Sequence, residues 1–430
     1  MAATRRRLDV VSRRIVITSW GSYGDLNPAL GLAMGLRDRG HDVVLAAPAF
    51  YRGDVEREGM AFHAVPPDVE PRGEMVARIM DARGGTEFLF TQLLMPALTA
   101  AYESLRPLVQ RADLVVSHPV ALAAPILAEQ LRKPWASYVL APMSFFSAHD
   151  VPVFPPAPWL RPLAERSPWL GRQLVAMARR VTRKWSGPVA ALRLAHGLPA
   201  GGNPVLEGQH SPHLVLALFS RLLAQPQPDW PPRVVVTGAV PYNGPASDVL
   251  APELRAFLAE GPPPIVFTLG TSAVGAPGRF YEESLSAVTT LGCRAVLLVG
   301  SQADGRLPAQ LPRGVIAVDR APHAALFPHA SAVVHQGGAG TLHHALASGH
   351  PMLVVPYAHD QPDNADRARR LGVARVVRPG QYRRARVAGE LRALLDGTSC
   401  RDAAQRVAAV VRAEDGVRAA CEAIERTWSW

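Results

Sequence analysis

"VHQGGAGT", Val334 to Thr341, places three glycines within four positions, between an apolar run and a helical one. With so little side chain in the way, the backbone there can approach a ligand closely. The run leading in, "SAVV" from Ser331, reads as a strand, and "TLHHALASG" from Thr341 reads as a helix that stops at Gly349. Strand, glycine turn and helix bring free N–H groups and the positive end of a helix dipole to one point, which suits a phosphate. Glycine turns after strands occur throughout α/β proteins, so the meaning of this one depends on the rest of the chain.

The rest divides into two similar halves. "RIVITSWGSYGDLNPALGLAMGLRDRGHDVVLAAP", from Arg14, reads as a strand at 15–18, a turn at 21–27, a helix from Pro28 to Arg39 ended by Gly40, and a second strand at 43–46. From Pro264, "PIVFTLGTSAVGAPGRFYEESLSAVTTLGCRAVLLVG" repeats the order of strand, glycine loop, helix, glycine and strand. Further apolar runs follow in each half, "ADLVVSH" and "KPWASYVLAP" in the first, "GVIAV" and "PMLVVP" in the second. Alternation of this kind predicts an α/β protein of two Rossmann-like domains, each a parallel sheet covered on both faces, with a cleft between them at the strands' carboxyl ends. The expected boundaries are 1–230 for the first domain, with a proline-rich helical insert over about 70–190, a linker over 231–263, and 264–430 for the second, its last helix crossing back to the first.

Bulk properties narrow the functional classes. At 430 residues the chain is too long for one ordinary core, and 48% hydrophobic with 19% charged residues is a globular composition. No apolar run reaches the length of a spanning helix, and the basic opening "MAATRRRLDVVSRR" lacks the apolar stretch of a signal peptide, which predicts a cytoplasmic protein. Cys293, Cys400 and Cys421 are too far apart to suggest a disulfide framework or a zinc site. The net charge of +10 invites a nucleic-acid partner, yet the densest clusters, Arg5 to Arg7 and Arg367 to Arg386, are not interleaved with stacking aromatics. An anionic substrate is the better expectation, with weak peripheral contact to an anionic membrane as a further one. "GSYGDL" is not a dinucleotide fingerprint, no nucleophile elbow is present, and the histidines around the glycine loop lack a carboxylate or thiolate set to complete a metal site.

"HDQPDNA", His359 to Ala365, follows the glycine loop after the strand "PMLVVPY". Asp360 and Gln361 offer acceptors and a donor for vicinal sugar hydroxyls, while the glycine loop would hold a diphosphate. Alone, the aspartate reads as a helix cap.

Ala321 to Gly372 resembles the donor-binding signature of the UDP-glycosyltransferase family, inverting enzymes of GT-B fold. The opening "GSYGDLNPALGLAMGLRDRGHDV", Gly21 to Val43, is similar to the start of its bacterial, sterol-type and antibiotic-type members. The resemblance implies transfer of a hexose or deoxyhexose from a UDP- or dTDP-sugar to a hydroxyl of a hydrophobic small molecule, a polyphenol, polyketide, sterol or lipid, with no obligatory metal. It implies base contacts at Arg320, Ala321 and His323, and phosphate contacts at Gly270, Thr271 and Ser272. Gly338, Gly340 and Thr341 would also face the phosphates, with either His335 or Gln336 on the diphosphate. His344 stands where plant members hold the ribose hydroxyls with Glu, which leaves a deoxyribose donor open. Asp25 takes the place of the catalytic base, and His118 falls where those members keep its supporting carboxylate, so the pair is expected to be exchanged and in contact. A free carboxylate is a weak base and needs desolvation or a partner. The plainer alternatives are that Asp25 caps the helix at Pro28 and His118 ends its strand before Pro119. Among the insert's apolar residues Phe88, Phe90, Leu94, Met95, Phe145, Phe146, Phe154 and Trp159, the acceptor wall is expected at Phe88, Phe90, Met95, Phe145 and Phe146. A nucleotide-sugar 2-epimerase of the same architecture and a non-catalytic sugar-nucleotide or lipid binder are the competing readings; interconversion of donor epimers would mark the first, binding without turnover the second.

Overall fold

The computed structural model describes residues 11–70, 73–242, 249–300, 307–308 and 310–427. The cluster Arg5 to Arg7 and the side chain of Ser272 lie outside what is described. Strands β1 (Arg14–Thr18), β2 (Asp42–Ala47), β3 (Ala61–Ala64), β4 (Leu114–Ser117), β5 (Trp135–Val139), β6 (Val215–Ala217) and β7 (Val234–Val236) form one sheet in the order β3-β2-β1-β4-β5-β6-β7. Strands β8 (Ile265–Thr268), β9 (Ala295–Leu298), β10 (Val315–Val318), β11 (Ala332–His335), β12 (Met352–Val354) and β13 (Ala374–Val376) form a second, in the order β10-β9-β8-β11-β12-β13. All pairings within both sheets are parallel.

Burial follows from that topology. Ile15, Val16 and Ile17 are each 0% exposed although they point alternately to opposite faces, because helices cover both. Ile15 and Ile17 meet Leu26 and Leu30 of helix α1 (Tyr23–Asp38), whereas Val16 meets Leu98 and Leu105 of helix α2 (Leu98–Arg111). Each such aliphatic side chain contributes about 1.5–3 kcal/mol relative to exposure. Helices α3 (Phe280–Leu291), α4 (Ala339–Ser348) and α5 (Gln361–Arg370) serve the second sheet in the same way.

The insert and the linker differ from expectation. β4 and β5 fall inside 70–190, so the irregular material comes in two pieces on either side of them. β7 lies in the stretch read as linker and closes the edge of the first sheet. After helix α6 (Thr398–Ala413), helix α7 (Gly416–Arg426) lies against α1. Arg39 holds Glu425 through two hydrogen bonds, 2.7 and 2.6 Å, and a Cβ at Gly35 would come within 2.4 Å of Val417. At the turn into α7, a Cβ on Gly416 would sit 2.0 Å from the Ala239 carbonyl oxygen. Gly416→Ala is therefore expected to destabilise the protein by about 1–3 kcal/mol, read as a lower urea midpoint, because backbone on both sides must move.

Candidate active site

In each sheet the first strand lies between two neighbours reached by connections running in opposite directions, and the turns that leave it and the adjacent strand open side by side. β1 pairs with β4 with Thr18 opposite Ser117, so Ser19 and His118 emerge together. Ser22 caps α1: its Oγ accepts from the Gly24 N–H at 3.1 Å, and the Asp25 carboxylate reaches back to accept from the Ser22 N–H at 2.7 Å. The helix thus starts at Tyr23 and contains Pro28, where the pattern had placed its beginning. Gly21 permits this fold-back. Its φ is +134°, and a Cβ there would stand 2.2 Å from Asp25 Oδ2. The turn is further held by Tyr51, whose hydroxyl donates to the Gly21 carbonyl at 2.8 Å, and by Ser19, whose Oγ donates to the Asp25 carbonyl at 3.1 Å.

One carboxylate oxygen of Asp25 serves the cap. The other, Oδ1, lies 3.4 Å from His118 Nε2. His118 Nδ1 accepts from the Val120 N–H at 3.4 Å, so in its neutral form the ring carries its proton on Nε2, the nitrogen nearer Asp25. The side chain of His118 is 7% exposed and that of Asp25 31%, which leaves the carboxylate, backed by the imidazole, as the member facing the cleft. Capping and pairing are therefore compatible roles of the same two residues.

Across the cleft, β8 pairs with β11 with Phe267 opposite Val334, which brings the loop at Gly270 against the loop at Gln336. Gly270 has φ +59°, and a Cβ on it would lie 2.3 Å from Gln336 Nε2 and 3.3 Å from Thr341 Oγ1. Thr271 follows in the same short turn, exposed. Of the two residues that competed for the diphosphate, His335 turns inward. It is 0% exposed, its Nδ1 accepts from the Gly337 N–H at 3.0 Å, and its Nε2 lies 3.4 Å from the Met352 sulfur. Burial pushes its pKa down to about 3, so it is neutral. Gln336 instead lies between the two glycine loops, 2% exposed, with its Oε1 buried and without a hydrogen-bond partner among the described residues. Gly338 caps α4, whose N-terminus carries Gly340 and Thr341. His343 joins this helix to the first domain, its Nε2 accepting from the Ser220 N–H at 3.1 Å.

Asn364 ties the second half of the site together. Its Nδ2 donates to the Gly337 carbonyl at 2.9 Å and to Asp360 Oδ2 at 2.8 Å. Burial, and then the charge of Asp25 across the cleft, push the Asp360 carboxyl up to about 7. Gln361 Oε1 accepts from the Tyr357 N–H at 2.9 Å, so its free contribution is the Nε2 donor. His359, at φ +55°, bridges the domains through Nδ1, 3.2 Å from Thr86 Oγ1. At the base position, His323 stacks on Phe327 at 4.5 Å and meets His344 edge-on at 5.9 Å. Arg320 and Ala321 form the loop before it, and the Arg320 charge is felt at Tyr23 of the first domain. Burial pushes the pKa of His323 down to about 4 and that of His344 to about 3. Among the described residues, no group of three His, Cys, Asp or Glu is placed to hold a metal ion.

A small apolar cavity lies next to this turn. Trp20, Val65, Pro66, Leu94, Leu98, Ala101, Leu105 and Leu122 line this narrow space of about 30 Å³, beginning at Thr18 and Ser19. Leu94, Leu98, Ala101 and Leu105 repeat at helical spacing, a pattern readable in advance. None of the five expected wall residues lines it. Phe90 and Met95 are core residues beside it, Phe145 stacks on Trp230 at 4.1 Å, Phe146 stacks on Phe154 at 6.4 Å, and the Arg78 guanidinium covers Phe88 at 4.1 Å.

Known proteins agree with this architecture. Residues 15–143 match the glycosyltransferase family 28 N-terminal domain, and residues 282–419 match the erythromycin biosynthesis protein CIII-like C-terminal domain. O-mycaminosyltylonolide 6-deoxyallosyltransferase of Streptomyces fradiae is 32% identical over 424 residues, 96% of this chain and 97% of the relative. Vancomycin aglycone glucosyltransferase of Amycolatopsis orientalis is 30% identical, with 84% of each chain covered. The crystal structure of glycosyltransferase VinC in complex with dTDP superposes with a TM-score of 0.69 at 20% identity, covering 97% of this chain and all of that one, which shows the fold. The chain belongs to the antibiotic-type glycosyltransferases of GT-B fold, enzymes that take a sugar from a nucleotide donor to a small-molecule acceptor.

Proposed function

We propose that this transferase moves a deoxyhexose, with inversion, from a dTDP-sugar to a hydroxyl of a hydrophobic polyketide-like acceptor. The observation that carries the reading is the Asp25 carboxylate, partly exposed in the turn after β1 with His118 3.4 Å behind it and its charge felt at Asp360 across the cleft. An acceptor bound in the cleft presents its hydroxyl to Asp25, which takes the proton as the oxygen attacks the anomeric carbon. The nucleoside diphosphate leaves from the opposite face. Its charge meets the N-terminus of α4, the N–H groups of Gly338 and Gly340, the Thr341 hydroxyl and Gln336 Nε2, so no metal ion is required. Asp360 and Gln361 Nε2 hold the sugar hydroxyls. Closure of the cleft keeps out water, which would otherwise hydrolyse the donor.

The donor assignment is supported by His344 in place of a ribose-gripping carboxylate, by the 6-deoxyallosyl donor named for the 32% identical relative, and by dTDP in VinC. Calorimetric titration is expected to show dTDP binding more tightly than UDP, by about tenfold. dTDP-rhamnose offered with a panel of polyketide aglycones is expected to yield an adduct heavier by one deoxyhexose. Preference for UDP-glucose would overturn the donor assignment, and binding of neither nucleotide would overturn the cradle.

A further inference from the structure

Helix α5 carries Asp360 and Gln361 at its N-terminus and turns another face to the first domain. Asp363, Asp366, Arg367 and Arg370 recur on that face at helical spacing and meet the segment from Asp150 to Arg161. Arg367 is 2% exposed. Its Nη1 donates to Asp150 Oδ2 at 2.5 Å and to the Leu223 carbonyl at 2.9 Å, and its Nε donates to Asp363 Oδ2 at 2.7 Å. The other oxygen of Asp363 accepts the Val153 N–H at 3.0 Å. Arg161, 4% exposed, donates through Nε to the Val151 carbonyl at 2.9 Å and pairs with Asp366, which also lies 3.2 Å from Arg370. The segment is itself anchored within the first domain, since Asp229 accepts from Ser147 Oγ and from the Ala148 N–H, both at 2.6 Å.

A buried network of this kind is a poor source of stability, because removing the charges from water costs about what their pairing returns. Its effect is geometric. With two guanidinium groups forked between carboxylates on both domains, α5 has one seating on the first domain, and a sliding or tilted helix would strand buried charges. We propose that Asp150, Arg161 and Arg367 form an interdomain clasp that positions Asp360 and Gln361 opposite Asp25, so that the donor's sugar is aligned with the acceptor. They are positioning residues and touch neither substrate. The inference rests on the transferase reading. The glycine cradle and α5 belong to the same domain and are tied together by Asn364 and the Gly337 carbonyl, so the clasp governs how this domain faces Asp25 and leaves the nucleotide contacts inside it intact.

The test compares wild type with Asp150→Asn and with the milder Arg370→Gln, whose side chain is 38% exposed and whose loss weakens the network at Asp366 and Asp150 without stranding a buried charge. Three quantities are read: kcat for transfer, the ratio of transferred to hydrolysed sugar, and the Kd for the free nucleoside diphosphate. Asp150→Asn is expected to lower kcat by about tenfold or more and to shift the product ratio toward hydrolysis, with Kd unchanged. Arg370→Gln is expected to move both in the same direction by less, and it decides the matter if Asp150→Asn fails to fold. A wild-type kcat and product ratio in the folded variants would overturn the clasp while leaving the transferase reading intact. So would a fall in nucleotide affinity parallel to kcat, which marks general disruption. Absence of transfer in the wild type would overturn the underlying reading instead.

Discussion

Asp25→Asn is expected to lower kcat by about a thousandfold while the protein keeps its fold. The magnitude is that of losing a positioned general base. The fold survives because the amide oxygen of asparagine can still accept the Ser22 N–H that the carboxylate now accepts at 2.7 Å, and because Gly21 leaves the same room beside it. What disappears is the oxygen that faces His118 and the cleft with a lone pair able to take a proton. The amide nitrogen would place a donor against the His118 Nε2–H. His118→Gln is expected to cost less, about tenfold to a hundredfold, since it removes the group behind the base and leaves the base. Steady-state transfer rates beside thermal melts decide the matter. Wild-type turnover in a folded Asp25→Asn protein would assign the proton transfer to another group.

Asp360→Asn is expected to lower kcat/KM by roughly a hundredfold and at the same time to make the protein more stable above neutrality. The loss reflects one charge-assisted hydrogen bond to the donor sugar, about 2–3 kcal/mol. The gain follows from the sign of the pKa shift. The native carboxyl titrates at about 7, above the ordinary value of about 4 that it has in the unfolded chain, so the native state holds the extra proton between those limits. Stability therefore declines as pH rises from about 4 to about 7 and does not recover above it; the amide variant lacks that decline. In the wild type, kcat/KM is expected to rise through pH 7 as Asp360 ionises, and this limb should be missing in the variant. The neighbouring groups are Asp25 and Asp363, which raise the pKa, and Asn364, which lowers it; burial pushes the pKa of nearby His359 down. A variant that retains both the limb and the rate would show that the carboxylate does not hold the sugar.

A stability cost carried by a carboxylate in the cleft is understandable when that carboxylate serves binding. The same trade does not extend to Asp363, which is buried beside it and fully paired with Arg367 and the Val153 N–H. Two acids three residues apart on one helix thus have different roles, one open to the cleft and one locked in the clasp.

Local order in the chain sufficed for the two parallel α/β sheets, for the glycine loop and for the attention drawn to Asp360 and Gln361, whereas Asp25 was nominated by the resemblance of Gly21 to Val43 to a known family. Period and punctuation of the sequence act over a few residues, and so do strands, caps and turns. The start of α1 was misplaced, since Ser22 and Asp25 form a capping box that begins the helix at Tyr23, ahead of Pro28. Choices between adjacent side chains were not legible. Whether His335 or Gln336 faces the cleft depends on which side of β11 is covered by Met352 and its strand, and only the sheet register supplies that. The small apolar cavity beside the turn is lined by Leu94, Leu98, Ala101 and Leu105 and not by the more conspicuous aromatics, because Phe145 finds Trp230 and Phe90 finds Trp185 through contacts distant in sequence. The clasp is the extreme case. Asp150 and Arg367 are 217 positions apart, and a lone aspartate in a proline-rich loop carries no sign of the arginine it will meet. A sequence states what each segment prefers by itself, whereas the partner of a buried charge is decided by where two independently folded sheets come to rest against each other.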